Sequence, residues 1–322
     1  GQILYALNAA TGEEIWRFTA GTGCRDPITG EPPGLCGFTG ERNQIESTPL
    51  LTGGTLYFGM DVNDVSTGKG GFFAVDAAEG ALAWYFDVET GATCRPDPAD
   101  NIRRFDGYHS AEQLVLPSDF FATRSGCAHD RAPTGCGNVW SSAAHDPLRR
   151  QPYFGTSNCD TDDNPNTPAP GPNMPPYDEA LVALGTDGVP AGRWRPREID
   201  PDDLAFGAVP NLFSIDINGE AVDVVGIGGK DGTYYTVDRD GKNTTTGVAW
   251  DDADPLALPY WQTKVVPGGA IGGIIATASV DEDARRIYLS TAPGLSVSNI
   301  QRPTVHALDM DTGSVVWQNT ET

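Results

Sequence analysis

The chain has 322 residues, with 39 glycines, 25 prolines and 20% charged residues, a composition typical of a loop-rich β protein. Its net charge of −23 argues against nucleic acid as a partner, because the phosphates would be repelled. The sequence also has no apolar run long enough to cross a membrane.

One hairpin motif recurs along the chain. Each copy has a strand, then Asp or Asn, a glycine turn, and a second strand that closes on tryptophan. The Asp or Asn side chain can accept hydrogen bonds from the turn backbone, and glycine allows a positive φ. The closing residues of the five copies are Trp16, Trp84, Trp194, Trp250 and Trp317. Because a hairpin cannot bury its face alone, the repeats predict stacked copies in a radial or solenoid packing.

A further strand pair precedes each of the last four hairpins. In chain order, the predicted pairs are 48–51 with 55–59, 140–143 with 153–156, 211–214 with 222–225, and 275–278 with 287–290. Four strands per repeat predict an all-β fold, a β-propeller of four-stranded antiparallel blades. We expect about four and a half blades, in a single domain over residues 1–322 that is a portion of a larger ring.

Six cysteines lie in or beside the predicted loops. They are Cys24, Cys36, Cys94, Cys127, Cys136 and Cys159. Their even number indicates disulfides in an oxidising compartment, which predicts a periplasmic or extracellular protein. Cys24 with Cys36 and Cys127 with Cys136 are close enough to close their own loops, but the connectivity stays open. Zinc binding is the alternative, although no paired Cys/His spacing supports it.

The repeated hairpin resembles the tryptophan-docking motif of the propellers that bind pyrroloquinoline quinone (PQQ). This is the quinoprotein alcohol dehydrogenase-like family, which includes polyvinyl-alcohol-dehydrogenase-like proteins. The resemblance implies that the chain is part of an eight-bladed ring. Non-catalytic propellers of outer-membrane assembly machinery carry the same motif, so the hairpins alone do not separate an enzyme from a scaffold.

The segment from Trp140 to Asn158 is similar to a dehydrogenase segment that runs from tryptophan to asparagine without a gap. The resemblance implies that Trp140 is the floor on which the quinone lies and that Asn158 is a calcium ligand. In the stretch 59–71 the family has a second carboxylate ligand, which implies Asp64 or, failing that, Asp61. Oxygen ligands of this kind suit a hard cation such as Ca²⁺.

The segment 229–239 resembles the family's Arg/Lys-Asn-Gly-x-x-Tyr-x-Leu-Asp-Arg. The basic residue that opens this pattern, here Lys230, hydrogen-bonds the reactive quinone oxygens in the family. A cation at that place stabilises the negative charge that develops as hydride arrives. The family's general base is an aspartate, which corresponds here to Asp203 or to Ala205, depending on the alignment. In the second alignment the base is lost.

Two functions of different class follow. The first is a PQQ- and calcium-dependent dehydrogenase that oxidises a small-molecule or polymeric alcohol and passes electrons to a cytochrome c or a similar acceptor. The second is a non-catalytic propeller that serves as a binding or assembly scaffold. Trp140, Asn158 and Lys230 favour the enzyme, whereas Ala205 and the short carboxylates favour the scaffold.

Overall fold

The computed structural model describes most of the predicted hairpins. The described residues are 3–19, 44–61, 71–88, 91–94, 138–157, 177–197, 203–240, 258–293, 295–296, 299–300 and 303–319. These residues form strands and turns and contain no helix, so the all-β prediction is confirmed. Among them, accordingly, there is no apolar helix of membrane-spanning length.

The chain divides into two compact units. Unit 1 comprises Gly1–Ser142, Cys159–Asp178 and Gly185–Val189, and unit 2 comprises Ala143–Asn158, Glu179–Leu184 and Pro190–Thr322. Each unit is built from antiparallel sheets whose strands follow one another in the sequence.

Unit 1 holds a two-stranded sheet, β1-β2, and a five-stranded sheet in the order β3-β4-β5-β6-β7. The strands are β1 (Ile3–Leu7), β2 (Glu14–Thr19), β3 (Leu50–Thr52), β4 (Thr55–Met60), β5 (Gly71–Asp76), β6 (Leu82–Asp87) and β7 (Ala92–Cys94). The fifth strand, β7, pairs with the outer side of β6 and was not expected from the four-stranded repeat.

Unit 2 holds three four-stranded sheets, in the orders β8-β9-β10-β11, β12-β13-β14-β15 and β16-β17-β20-β21, and the pair β18-β19. The strands of the first two sheets are β8 (Ala144–Asp146), β9 (Gln151–Gly155), β10 (Leu181–Leu184), β11 (Pro190–Trp194), β12 (Asn211–Ile217), β13 (Glu220–Gly228), β14 (Thr233–Asp238) and β15 (Trp261–Lys264). The remaining strands are β16 (Ser279–Asp281), β17 (Arg286–Ser290), β18 (Leu295–Ser296), β19 (Asn299–Ile300), β20 (Val305–Asp309) and β21 (Val315–Asn319). Four-stranded blades are thus confirmed, while the blade count and the eight-bladed ring stay predictions.

Two of the predicted strands begin later in the sequence than expected. Residues 140–143 lie before β8, and other contacts hold this segment. Val139 N donates to Met60 O (3.1 Å), and the Ser142 hydroxyl accepts from Thr48 N (2.8 Å). Residues 275–278 precede β16, and Ala278 O accepts from the Asn211 side chain (2.9 Å). Backbone groups satisfied in this way do not join a ladder.

The predicted turn chemistry is confirmed in the hairpins. Oδ1 of Asn8, Asp76 and Asp309 each accepts two backbone N–H groups of its own turn, at 2.8–3.2 Å. Gly12 and Gly80 have φ of 75° and 69°, the left-handed region that glycine enters without steric cost. Local side-chain chemistry therefore sets the two-strand unit that the fold repeats.

Three tryptophans, Trp16, Trp84 and Trp261, dock on the turn glycine of a following hairpin. Within unit 1, Trp16 Nε1 donates to Ala77 O (3.1 Å), and a Cβ at Gly80 would lie 2.6 Å from the Trp16 ring. Trp84 Nε1 likewise donates to Thr186 O (2.9 Å). Because glycine has no side chain, the backbone of the turn lies in direct contact with the indole ring.

In unit 2 the docking tryptophan of the second sheet, β12-β13-β14-β15, differs from the predicted one. A Cβ at Gly313 would lie 2.4 Å from Trp261, which opens β15, so Trp261 holds the docking position that the repeat predicts for Trp250. Trp250 itself lies outside the described residues. The spacing of Trp250 from Gly241 fits the motif. Docking, however, depends on which tryptophan contacts the turn glycine of the next sheet, and here Trp261 contacts Gly313.

An ion-pair cluster joins two sheets of unit 2, β8-β9-β10-β11 and β12-β13-β14-β15. The Asp146 carboxylate, 1% exposed, accepts from the Arg149 guanidinium (2.9 Å) and from Arg239 (3.2 Å), and the Arg149 guanidinium also donates to Asp223 (3.0 Å). Burial opposes ionisation of Asp146, but hydrogen bonds from Arg149, Leu148 and Arg239 outweigh it and lower the pKa of Asp146 to about 2.

The docking contact predicts unequal costs for two matched glycine substitutions. Gly12→Ala places a Cβ in open space and carries only the backbone cost of a positive φ, about 1 kcal/mol. Gly80→Ala carries the same backbone cost and also pushes against the Trp16 ring. Denaturant unfolding should show Gly80→Ala to be destabilised by at least about 1 kcal/mol more than Gly12→Ala. Equal losses would show that the close contact does not hold the sheets together.

The depressed pKa of Asp146 predicts acid sensitivity. Its stabilisation is present above the unfolded value of 3.8 and is lost as the pH falls through about 2. Between pH 5 and pH 2, the wild-type free energy of unfolding should fall by about 2 kcal/mol more than that of Asp146→Asn. Asp281→Asn, in an exposed turn where the carboxylate accepts Ala284 N, serves as the control and should keep the wild-type slope.

Candidate functional site

Two residues that the sequence analysis selected independently meet in unit 2. Lys230 lies in the turn between β13 and β14, and Asp203 precedes β12. The Lys230 Nζ atom donates to Asp203 Oδ1 at 2.8 Å, with the two side chains 12% and 21% exposed. The pair is therefore mostly shielded from water, with a small exposed fraction on each side chain.

The backbone of the same two segments is also joined. Lys230 N donates to Ala205 O (3.1 Å), so the turn and the loop are held together by a main-chain bond as well as by the ion pair. Asp203 has a φ of 52°, a left-handed conformation that costs a non-glycine residue about 1 kcal/mol or more. Such a conformation persists only where the surrounding contacts fix it.

Ala205, the alternative position for the base, is completely buried. Its Cβ therefore has no open space in front of it, whereas the Asp203 carboxylate is partly exposed beside Lys230. The choice between the two alignments stays a prediction. The assignment of Asp203 as the base stays a prediction.

Arg197 lies behind the pair and contacts both segments. Its Nη2 donates to Asp231 Oδ2 (2.7 Å), and its Nη1 donates to Leu204 O (3.2 Å). Glu179 Oε2 lies 3.8 Å from Nη1. One guanidinium thus bridges the residue after Asp203 and the residue after Lys230.

The Asp231 carboxylate is the anchor of this arrangement. Its Oδ1 accepts Thr233 N (3.0 Å), and its Oδ2 accepts the Tyr235 hydroxyl as well as Arg197. Burial, together with the Asp231 charge, raises the pKa of Tyr235 above its ordinary value, so the phenol stays protonated and donates. The Asp231 carboxylate therefore accepts hydrogen bonds from a backbone N–H, a phenol and a guanidinium.

Glycines allow a second chain segment to enclose the Lys230 turn. A Cβ at Gly268 would lie 2.4 Å from Lys230 O, and one at Gly273 would lie 2.1 Å from the same atom. Gly269 N donates to Lys230 O at 2.9 Å. The main chain of Lys230 is thus fixed on two sides, which leaves its side chain as the adjustable part.

Trp140 belongs to unit 1, where it is half-buried in the irregular segment before β8. Val139 and Ser142 form hydrogen bonds with Met60 and Thr48, so the chain is held before and after Trp140 in the sequence. The Ser141 hydroxyl is buried and has no hydrogen-bond partner among the described residues. A buried hydroxyl of this kind can accept or donate to a bound polar group.

The predicted metal ligands Asn158 and Asp64 lie outside the described residues. The alternative ligand Asp61 is described: it is buried at the end of β4, and its backbone forms a bridge with Gln44. Within the described part of the chain, no three His, Cys, Asp or Glu side chains cluster as a metal site. The disulfides also stay predictions, because five of the six cysteines lie outside the described ranges.

The chain is similar to proteins that oxidise alcohols. A family model described as outer membrane protein assembly factor BamB matches residues 1–114. A polyvinylalcohol dehydrogenase of a Pseudomonas species is 22% identical, over 97% of this chain and 42% of that protein. The dehydrogenase subunit of a quinone alcohol dehydrogenase from Komagataeibacter europaeus is 24% identical, over 73% of this chain and 29% of that protein.

A solved structure, the quinohemoprotein alcohol dehydrogenase of Comamonas testosteroni, superposes with a TM-score of 0.67 at 19% identity and covers 100% of this chain and 51% of that one. The chain thus shares the fold of this quinohemoprotein alcohol dehydrogenase and is similar in sequence to alcohol dehydrogenases of the same kind. A europium-containing methanol dehydrogenase has the same fold, with a TM-score of 0.62 at 14% identity over 99% of this chain and 58% of that one. The chain spans less than half the length of the curated relatives described above.

Sequence reasoning missed the residues that support the Lys230 and Asp203 pair. Asp231 stood next to Lys230 in the segment compared with the family, where an asparagine is usual, and that difference was the available signal. Nothing in the sequence indicated Arg197, because its partners Asp231 and Leu204 lie 34 and 7 residues away.

The burial of Ala205 predicts that position 205 cannot carry a carboxylate in this chain. Ala205→Asp would bury a charge without a prepared partner, a cost of about 3 kcal/mol or more. Thermal unfolding should show a large loss for Ala205→Asp and a much smaller one for Ala205→Ser, which adds only a hydroxyl. A well-folded Ala205→Asp protein with wild-type stability would contradict the burial and reopen the alternative alignment.

Proposed function

We propose that the protein is a PQQ-dependent dehydrogenase that oxidises an alcohol. The 2.8 Å pairing of Lys230 with Asp203 carries this proposal, because it brings a cation and a carboxylate together at a partly accessible place. The alcohol dehydrogenases among the relatives support the same reaction class. When bound, PQQ supplies a two-electron acceptor that takes hydride from the alcohol carbon.

The residues present suit such a group chemically. An ortho-quinone needs a flat apolar surface and a donor beside its reactive oxygens, which are the roles that we assign to Trp140 and Lys230. The Lys230 ammonium has three donors, of which Asp203 accepts one. Lys230 would stabilise the negative charge that develops on the oxygen next to it.

Asp203 would act on the alcohol itself. Its carboxylate accepts the hydroxyl proton as the C–H bond breaks, so the proton goes to the Asp203 oxygen and the two electrons leave with the hydride. A carboxylate has two oxygens and several lone-pair directions. Asp203 can therefore keep its bond from Lys230 while it accepts a proton from the substrate.

For the metal we propose calcium, held by Asn158 and by Asp64 or Asp61. Amide and carboxylate oxygens are ligands that a hard cation prefers. The europium of the methanol dehydrogenase with the same fold is also a hard, oxygen-binding ion. A titration should therefore compare Ca²⁺ with a lanthanide.

The partner and the location are further parts of the proposal. Electrons would pass to a cytochrome c or a similar acceptor, and the net charge of −23 would attract a basic partner of this kind. The cysteine content supports a periplasmic or extracellular place of action. The substrate would be a small or polymeric alcohol.

The second candidate is a binding or assembly scaffold without cofactor. The match of residues 1–114 to the BamB family model favours it. This match covers the first hairpins and not the segments of Lys230 and Asp203. It therefore supports a shared hairpin repeat and gives no information on the candidate site.

The enzyme proposal predicts separable effects of two substitutions. Asp203→Asn keeps a carbonyl oxygen that can accept from Lys230 but cannot act as a base, so turnover should fall by about 10² or more while PQQ affinity changes less than about threefold. Lys230→Met should weaken PQQ binding itself. Calorimetric titration with PQQ and Ca²⁺ measures affinity, and alcohol-dependent dye reduction measures turnover.

Arg286→Met is the matched control for loss of a cation, since Arg286 pairs with Asp309 in the last sheet (3.1 Å). It should leave both measurements near the wild-type values. If the folded wild-type protein shows no saturable PQQ binding with either Ca²⁺ or a lanthanide, the enzyme proposal fails and the scaffold function takes its place.

A further inference from the structure

We propose that Arg197 is the positioning residue that sets Asp203 against Lys230; its role in catalysis rests on the function proposed above. The Arg197 side chain is 19% exposed and lies behind the ion pair. Its guanidinium donates to Leu204 O and to Asp231 Oδ2. Its action is therefore indirect, through the residue that follows each member of the pair.

The two bonds of the guanidinium define this role. Nη1 donates to Leu204 O at 3.2 Å, one peptide bond after Asp203, and Nη2 donates to Asp231 Oδ2 at 2.7 Å, one peptide bond after Lys230. The planar guanidinium holds these donors at a fixed separation. The loop and the turn are thus kept at one spacing by a single rigid group.

Charge explains why the bridge is strong on one side. The Asp231 carboxylate is 12% exposed and accepts from Arg197, the Tyr235 hydroxyl and Thr233 N. A charge-assisted bond at a mostly buried carboxylate is stronger than a neutral one. Asp231 is therefore a fixed point, and Arg197 transfers its position to the Leu204 carbonyl.

The loop needs this support because Asp203 is left-handed, with a φ of 52°. A strained residue relaxes when its neighbours release it. Without the Arg197 bond to Leu204 O, the loop would retain the Lys230 N to Ala205 O bond. It would lose the main-chain hydrogen bond at the residue next to Asp203. The Asp203 carboxylate would then move relative to Lys230.

The test measures Lys230 without any cofactor. The whole protein is acetylated with a water-soluble acetylating reagent, and the rate at Lys230 is read by peptide mass spectrometry. An ammonium held by a carboxylate reacts slowly, since the reagent needs the free amine. We expect Arg197→Met to raise the rate at Lys230 by about fivefold, as Asp203→Asn should also do.

Arg197→Lys separates bridging from charge and guards against misfolding. Lysine keeps the charge near Asp231, but all its donors are on one nitrogen and lack the spread of the planar guanidinium, so it bridges Asp231 Oδ2 and Leu204 O less well. It should raise the Lys230 rate nearly as much as Arg197→Met does. The control Arg286→Met, which removes a remote ion pair, should stay within about twofold of wild type.

A kinetic measurement extends the test to the reaction. If Asp203 is displaced, kcat should fall by about 10-fold to 100-fold in Arg197→Lys, the acid limb of the kcat profile against pH should move, and PQQ affinity should stay within about threefold. An unchanged Lys230 acetylation rate in both Arg197 variants overturns the positioning role. Absence of PQQ binding overturns the proposed function instead, and the acetylation result still decides whether Arg197 positions the pair.

Discussion

The direct contact between a tryptophan ring and a turn glycine is the constraint on which the sheets depend. At Gly80 and Gly313 an added Cβ would lie within 2.6 Å of an indole carbon, so the ring and the backbone share the space that a side chain would take. A turn that needs a positive φ and a contact that needs no Cβ select the same residue. The local hairpin and the packing of neighbouring hairpins are therefore encoded together.

The candidate site uses the same kind of close approach for a different purpose, to immobilise the turn that carries Lys230. Gly268 and Gly273 let a neighbouring segment approach Lys230 O so closely that any side chain there would collide with it. A fixed main chain restricts a flexible four-carbon side chain to a small volume. An ion pair with Asp203 then selects one orientation within that volume.

The sequence predicts what is local and misses what is brought together by folding. The Asx turns at Asn8 and Asp309 follow from the residue types alone, and the structure has them. Trp261 was missed because Trp250 fits the motif by spacing, whereas docking depends on which ring reaches Gly313. Resemblance selected Lys230 and Asp203 one at a time. Only the fold places them 2.8 Å apart, across 27 residues of sequence.

The geometry of Asp203 also bears on why an enzyme is favoured over a scaffold. Arg150, Glu179, Asn218 and Arg285 also have a positive φ, so the φ of Asp203 is not special to the site. A scaffold does not require Lys230 and Asp203 to be paired at 2.8 Å. Nor does it need Arg197 and Asp231 arranged so that their bonds end one residue away from each member of the pair. The arrangement is thus best explained if Asp203 and Lys230 act on the same bound molecule.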